Sequence, residues 1–236
     1  MSEKRVLLYQ CDTREPTGFI TLTCAVNAQH ASAMRWVYRF DRMVTQGAYD
    51  AKSYKLFQTR RVIQEVRGDY DILVFLDTDA WVENVLTLEY MVKTLSQEKQ
   101  GIFSRDPYVR GNTFINSGSF VLRLNKYTSD MYDRLAAAME KRTRRGKSYR
   151  WHDQELVSRF VHTHKNDFDI YEPDIVNTPI GKVIRHSWIK EFKDCQYKIG
   201  EIIDSLPLDT RPFPNTDKKG FKYFSLLDRE RECVEV

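Results

Sequence analysis

Tyr70-Asp71-Ile72-Leu73-Val74-Phe75-Leu76-Asp77-Thr78-Asp79-Ala80 decides how this chain is to be read. Ile72 to Leu76 is the most apolar run in the sequence, and apolar residues on both faces mark a central strand of a parallel sheet. In such sheets ligands lie at the carboxyl ends of the strands, and this strand ends in Asp77-Thr78-Asp79. Two carboxylates there repel each other and resist desolvation unless a cation or strong donors compensate them. An ordinary Asp-x-Asp is a pair of solvated turn residues. Here the apolar strand before the pair and the apolar Ala80-Trp81-Val82 after it set it apart from a polar surface loop.

Two chemistries use a carboxylate pair in this place. In the first, both carboxylates bind Mg²⁺ or Mn²⁺, and the metal bridges a diphosphate leaving group. In the second, the first Asp attacks a phosphoryl group and the second serves as acid and base, as in phosphatases of the haloacid dehalogenase type. Those phosphatases carry the pair on the first strand, followed by Gly-Thr or a close variant. In this chain two βα-like units precede it and Ala80-Trp81 follow, which favours the metal.

Working outward, Arg5 to Cys11 reads as a buried strand that breaks at Asp12 to Gly18. Leu22, Val26, His30, Ala33 and Val37 recur at helical spacing over Ile20 to Trp36, and Tyr54, Phe57, Val62 and Val66 form a second helix stopped by Gly68-Asp69. Downstream come a helix on Leu88, Met91, Val92 and Leu95, and a strand at Gly118 to Leu122. A helix capped within Thr128-Ser129-Asp130 and a last one from Asp153 through Val161 complete the pattern. Strands alternating with helices predict an α/β fold with a mainly parallel sheet covered on both sides. Beyond Ile199 the pattern weakens at Pro207, Pro212, Pro214 and Gly220, so the expected layout is a catalytic domain over residues 1–199 and an arm over 200–236 laid on it.

Composition agrees with one such domain: 236 residues, 42% apolar and 30% charged. The 37 basic residues exceed the 33 acidic ones by only four, too slight an excess for a nucleic-acid binder, while acidic small molecules remain suitable partners. The N-terminus shows no signal-peptide pattern, and no window reaches the ~18 apolar residues of a membrane span, so a soluble, cytoplasmic protein is expected. Cys11, Cys24, Cys195 and Cys233 are irregularly spaced and read as free thiols rather than a zinc site or disulfide scaffold.

Three passages make the chain resemble the metal-dependent, nucleotide-sugar-using glycosyltransferases of GT-A fold, most closely the galactosyl-, mannosyl- and xylosyltransferase family numbered 34. Tyr70 to Ala80 is similar to that family's strand ending in Asp-x-Asp-Ala. Phe114-Ile115-Asn116-Ser117-Gly118-Ser119-Phe120-Val121-Leu122-Arg123 resembles its Asn-Thr/Ala-Gly-Ser-Phe-Leu-Leu-Arg segment. Trp151-His152-Asp153-Gln154-Glu155-Leu156 resembles its Asp-Gln helix start. Three motifs in order say far more than a lone Asp-x-Asp, and the likeness spans roughly residues 5 to 190.

The resemblance implies sugar transfer from a nucleotide-diphosphate donor, with UDP expected, to a saccharide hydroxyl with retention of configuration. Asp77, Thr78 and Asp79 would meet the donor, with Asp77 and Asp79 holding Mn²⁺ or Mg²⁺. His186, in Val183-Ile184-Arg185-His186, would complete the metal site, although Ser187-Trp188-Ile189 follow where relatives carry a small residue. Asn116, Ser117 and Gly118 would let the sugar approach the backbone, and Asp153 and Gln154 would stand at the reacting centre. Lys55 matches a position where the family often carries Lys and would touch phosphate. Each position also has a plain structural reading: a turn for 116–118, a helix N-cap for Asp153, a solvated helix face for Lys55. The strand-edge rule alone places the nucleotide near Gln10, Cys11 and Asp12. The basic run from Lys141 to Lys147 reads first as the wetted end of a helix, second as a lure for an acidic acceptor, lipid or diphosphate. A phosphatase using Asp77 as nucleophile and a catalytically silent carbohydrate-binding module are the alternatives.

Overall fold

Two neighbouring strands set the frame. β1 (Val6–Asp12) and β3 (Ile72–Leu76) run parallel, with Leu7 opposite Leu73 and Tyr9 opposite Phe75, and every residue of both is buried. The computed structural model describes residues 4–45, 49, 51–106, 114–144, 152–179 and 181–187, so the arm expected over 200–236 lies outside the described residues.

The remaining strands are β2 (Val37–Arg42), β4 (Ala80–Val82), β5 (Gly101–Arg105), β6 (Ile115–Arg123), β7 (Phe168–Tyr171) and β8 (Ile184–His186). The helices are α1 (Phe19–Ala33), α2 (Ala51–Val66), α3 (Val85–Thr94), α4 (Lys126–Arg144), α5 (His152–Thr163) and the single turn α6 (Pro173–Val176). Among the described residues six strands form one sheet in the order β2-β1-β3-β6-β5-β7, and β4 and β8 pair separately. Only β6 runs against the others in the large sheet. The mixed α/β fold with a mainly parallel sheet is therefore as expected.

Alternation along the strands sends side chains to two cores. Leu7, Tyr9, Leu73, Phe75, Phe120 and Leu122 pack toward α2, α4 and α5, where Phe75 and Phe120 stack at 4.7 Å between ring centres. Val6, Leu8, Ile72, Val74, Leu76 and Val121 face α1 and α3. Each large apolar side chain removed from water contributes about 2 kcal/mol. Doubly covered β1 and β3 thus anchor the sheet, and the site hangs on their carboxyl ends.

Several elements differ from the sequence expectation. The first helix ends at Ala33, because Arg35 adopts a positive φ of 57° and the chain turns into β2, so Val37 belongs to a strand. β2 and β7 are edge strands whose Arg39, Asp41, Arg42 and Asp169 disguise them as polar segments, and β5 is only Gly-Ile-Phe-Ser-Arg. α4 begins at Lys126, with the Asn125 side chain accepting the Thr128 N–H at 3.1 Å, so the cap lies upstream of Thr128-Ser129-Asp130. No helix among the described residues is long and apolar enough to cross a membrane. Cys11 and Cys24 are buried and in no disulfide among the described residues; Cys195 and Cys233 fall outside the described residues.

Candidate active site at the sheet edge

The Asp-x-Asp turn is built where β3 runs out. The Asp77 N–H donates to Gly118 O on β6 at 2.6 Å, and the Ala80 N–H closes a turn onto Asp77 O at 2.9 Å. A buried polar plug supports that turn from below. Gln10 donates to Asp77 O at 3.0 Å, Asn27 donates to Ala80 O at 3.0 Å, and Asn27 accepts from the Val82 N–H at 3.0 Å. Thr23 donates to Thr78 O at 2.6 Å, while the Gln10 oxygen accepts from Asn27 and from the Tyr38 hydroxyl. These side chains satisfy carbonyls that a tight turn beside a dry core would otherwise strand. Thr23 and Asn27 escaped the sequence reading; their signal is a pair of polar residues four apart among the buried residues of α1.

Above the turn, Asp77, Asp79 and His186 converge, one ligand atom from each lying within 4.8 Å of the others. Strand pairing makes this possible. β8 runs antiparallel to β4 with His186 opposite Ala80, and the Ser187 N–H donates to Asp79 O at 2.8 Å, so the imidazole stands beside the carboxylates. Its Nε2 lies 3.0 Å from Asp79 and 3.8 Å from Asp77, and Nδ1 is 2.7 Å from the Asn177 oxygen. Burial favours the neutral ring, but the two carboxylates outweigh it and hold the His186 pKa above its ordinary value. Burial pushes Asp77 up despite the opposing pull of Lys55 and His186. Gly118 completes the enclosure: a Cβ there would lie 2.1 Å from the His186 ring and 2.9 Å from Asp77.

Lys55 reaches this cluster from α2. Its Nζ is 3.0 Å from Asp77 and 3.4 Å from Asp153, and it donates to Ser117 O at 3.4 Å, with only 13% of the side chain exposed. The solvated-face reading of Lys55 is thereby excluded. Burial alone would lower its pKa, yet Asp153 and Asp77 outweigh burial and move it up, so the residue is a fixed cation between two acids.

The second acidic group lies across β6. Ser117 donates to Asp153 at 2.9 Å, which places Asp153 in the first turn of α5 facing the sheet instead of serving only as its cap. Gln154 donates to Asp106 at 2.7 Å, and Asn116 donates to the same Asp106 oxygen at 3.2 Å while accepting the Gly118 N–H at 2.8 Å. Asp106 is buried and was missed in the sequence, where a single Asp after a short strand carries no signal.

At the end of β1 the expected nucleotide contacts separate. Gln10 and Cys11 lie beneath the site: Gln10 is fully buried with its amide engaged in the plug, and burial pushes the Cys11 thiol up, away from the thiolate a metal would need. Asp12 stands at the rim. Arg14 grips both its oxygens, at 2.9 and 2.6 Å, and Thr78 also donates to it. Burial works against the Asp12 carboxylate, but Arg14 and Thr78 outweigh it and hold its pKa below the usual carboxylate value. In the basic run, Arg142 folds back onto Glu155 at 3.3 Å and Arg144 pairs with Glu140 at 3.7 Å; residues 145–150 lie outside the described residues.

No protein-family model matches the sequence, and no curated protein matches it either. Solved structures do match. The chain is similar to the crystal structure of a glycosyltransferase involved in the glycosylation of the major capsid of PBCV-1, with a TM-score of 0.65 over 83% of this chain and 99% of that one, at 10% identity. At that identity the likeness shows the fold alone, a mixed α/β fold that this chain shares with that glycosyltransferase.

Proposed function

We propose that this chain is a metal-dependent glycosyltransferase that moves a sugar from a nucleotide-diphosphate donor, expected to be UDP-linked, to a saccharide hydroxyl. The carrying observation is the Asp77, Asp79 and His186 cluster at the carboxyl edge of the sheet in a glycosyltransferase fold. Two carboxylates and an imidazole are a donor set that suits Mn²⁺ and, through its oxygens, Mg²⁺. A cation held there supplies charge neutralisation to a departing diphosphate.

The chain's own groups account for the rest of the proposal. Lys55 stands as a buried cation between Asp77 and Asp153, 3.0 and 3.4 Å away, and lies within reach of an anion entering between them. Asn116 and Gln154, joined through Asp106, and Ser117, bonded to Asp153, give a polar wall suited to sugar hydroxyls. Asp153, held by Ser117 and Lys55, is better placed to stabilise positive charge at the anomeric carbon than to swing in as a nucleophile, which supports a front-side route with retention. Asp12, Arg14 and Thr78 form the rim assigned to the nucleotide. The family 34 assignment rests on the three sequence motifs.

The test is release of nucleoside diphosphate from a panel of nucleotide sugars, with Mn²⁺ or with chelator. The expected result is hydrolysis of one donor in metal only. Metal-independent release would remove the cation from the reaction; turnover of a generic phosphate ester lost in Asp77→Asn would give the site to the metal-dependent phosphatase reading; sugar binding without any release would give it to a binding module.

A further inference from the structure

We propose that Asn177 is the positioning residue of the metal centre: it holds the His186 ring proton on Nδ1 and thereby presents the Nε2 lone pair to the ion between Asp77 and Asp79. The inference rests on the metal reading of that site.

The two ring nitrogens of His186 face opposite partners. Nε2 looks toward Asp79 at 3.0 Å and Asp77 at 3.8 Å, whereas Nδ1 meets the Asn177 side-chain oxygen at 2.7 Å. The Asn177 oxygen and the Asp79 carboxylate can both only accept, so once a cation takes the place of a proton at Nε2, the ring hydrogen stays on Nδ1 and is donated to Asn177. Nε2 is then the one nitrogen able to take a cation, on the side where the carboxylates are. A histidine ligand whose second nitrogen is fixed in this way has its ring orientation and its basicity set by that partner.

The surroundings of Asn177 are built to hold that contact. It follows α6, with its N–H donating to Pro173 O at 3.1 Å, and the Ser119 hydroxyl donates to the carbonyl of Val176 just before it. The next residue, Thr178, accepts the His186 backbone N–H at 3.1 Å, so one short segment grips the histidine by both main chain and ring. Gly118 and Ser119 on β6 thus act together: the first leaves space for the imidazole, the second anchors the segment behind it. Asn177 itself is fully buried, and its Nδ2 has no hydrogen-bond partner among the described residues. An unpaired buried amide is a standing cost that a leucine of similar volume would avoid. Its oxygen, aimed at a metal-facing histidine, is the compensating role.

Mn²⁺ binding to the full chain, followed by the electron paramagnetic resonance of the free ion, provides the test, with thermal unfolding confirming that each variant folds. Asn177→Leu is expected to bind Mn²⁺ roughly 10- to 100-fold more weakly. Asn177→Asp, which keeps an oxygen acceptor, should stay close to wild type. With diamagnetic Mg²⁺ bound in place of Mn²⁺, nitrogen NMR of the His186 ring, assigned by its loss in His186→Ala, should show a proton on Nδ1 that is protected from solvent exchange in wild type and in Asn177→Asp. In Asn177→Leu that proton should exchange freely. Equal Mn²⁺ affinity in wild type and Asn177→Leu, or equally fast exchange of the Nδ1 proton in both, overturns the role of Asn177 and leaves the metal site standing. A wild-type chain that binds no Mn²⁺ overturns the metal reading and this inference with it.

Discussion

Asp79→Ala is expected to remove metal-dependent turnover while leaving the fold intact. The Asp79 side chain meets His186 at 3.0 Å, and the backbone contact that ties β8 to the turn, Ser187 N–H to Asp79 O, survives the substitution. Removing this carboxylate also relieves its repulsion with Asp77. The ion pair between Lys55 and Asp77 is untouched, and His186, which loses Asp79, keeps Asn177 on Nδ1 and Asp77 at 3.8 Å from Nε2. What is lost is one of two anionic ligands, and with it the charge stabilisation of the leaving diphosphate. If that amounts to about 4 kcal/mol, turnover falls roughly a thousandfold. The measurement is kcat/KM for donor hydrolysis with saturating Mn²⁺, beside a far-ultraviolet circular dichroism spectrum. Retained activity in a folded Asp79→Ala protein would remove the Asp-x-Asp pair from the reaction.

Gly118→Ala is expected to disable the same site by crowding alone. The added Cβ would lie 2.1 Å from His186 Cε1, 2.5 Å from its Nδ1 and 2.9 Å from an Asp77 oxygen. The backbone has no room to retreat, since Gly118 N–H is bonded to Asn116 at 2.8 Å and Gly118 O to the Asp77 N–H at 2.6 Å. The imidazole must move, taking Nε2 away from the carboxylates. Overpacking of this kind costs about 1–3 kcal/mol of stability, and Mn²⁺ affinity should drop at least about tenfold. Gly68→Ala is the matched control, because nothing lies within 4 Å of a Cβ at that position, and it should leave affinity unchanged. Isothermal titration of Mn²⁺ into both variants checks the pair; equal affinities would mean that His186 is not held against Gly118 in solution.

The parts of the fold legible in the sequence were those whose residues answer to one demand. β1 and β3 are buried on both faces, so Arg5 to Cys11 and Ile72 to Leu76 read as strands without help from the rest of the chain. β2 and β7 answer to two demands, a sheet on one side and water on the other, and their Arg39, Asp41 and Asp169 hide the strand pattern. The site divides in the same way. Asp77 and Asp79 stand next to an apolar run that marks their place, whereas Lys55, Asn116 to Gly118, Asp153, Gln154 and His186 were reached through the family likeness. Asp106, Asn177, Thr23 and Asn27 do their work through side chains met across the fold. Their partners lie 55 residues away for Thr23 with Thr78, and 48 for Gln154 with Asp106, a separation that no local pattern records. Gln10 fell near the strand end where ligands gather, but beneath the rim that Asp12 forms, where the chain needed an amide to hold the turn.

The central claim is that Asp77, Asp79 and His186 together hold a divalent cation. Anomalous diffraction from crystals of the protein soaked in manganese and UDP tests it most directly. The account predicts one manganese peak within coordinating distance of both carboxylates and His186 Nε2, with the diphosphate on its open side. A peak elsewhere, or a well-ordered site that stays without manganese at full soak, would contradict it.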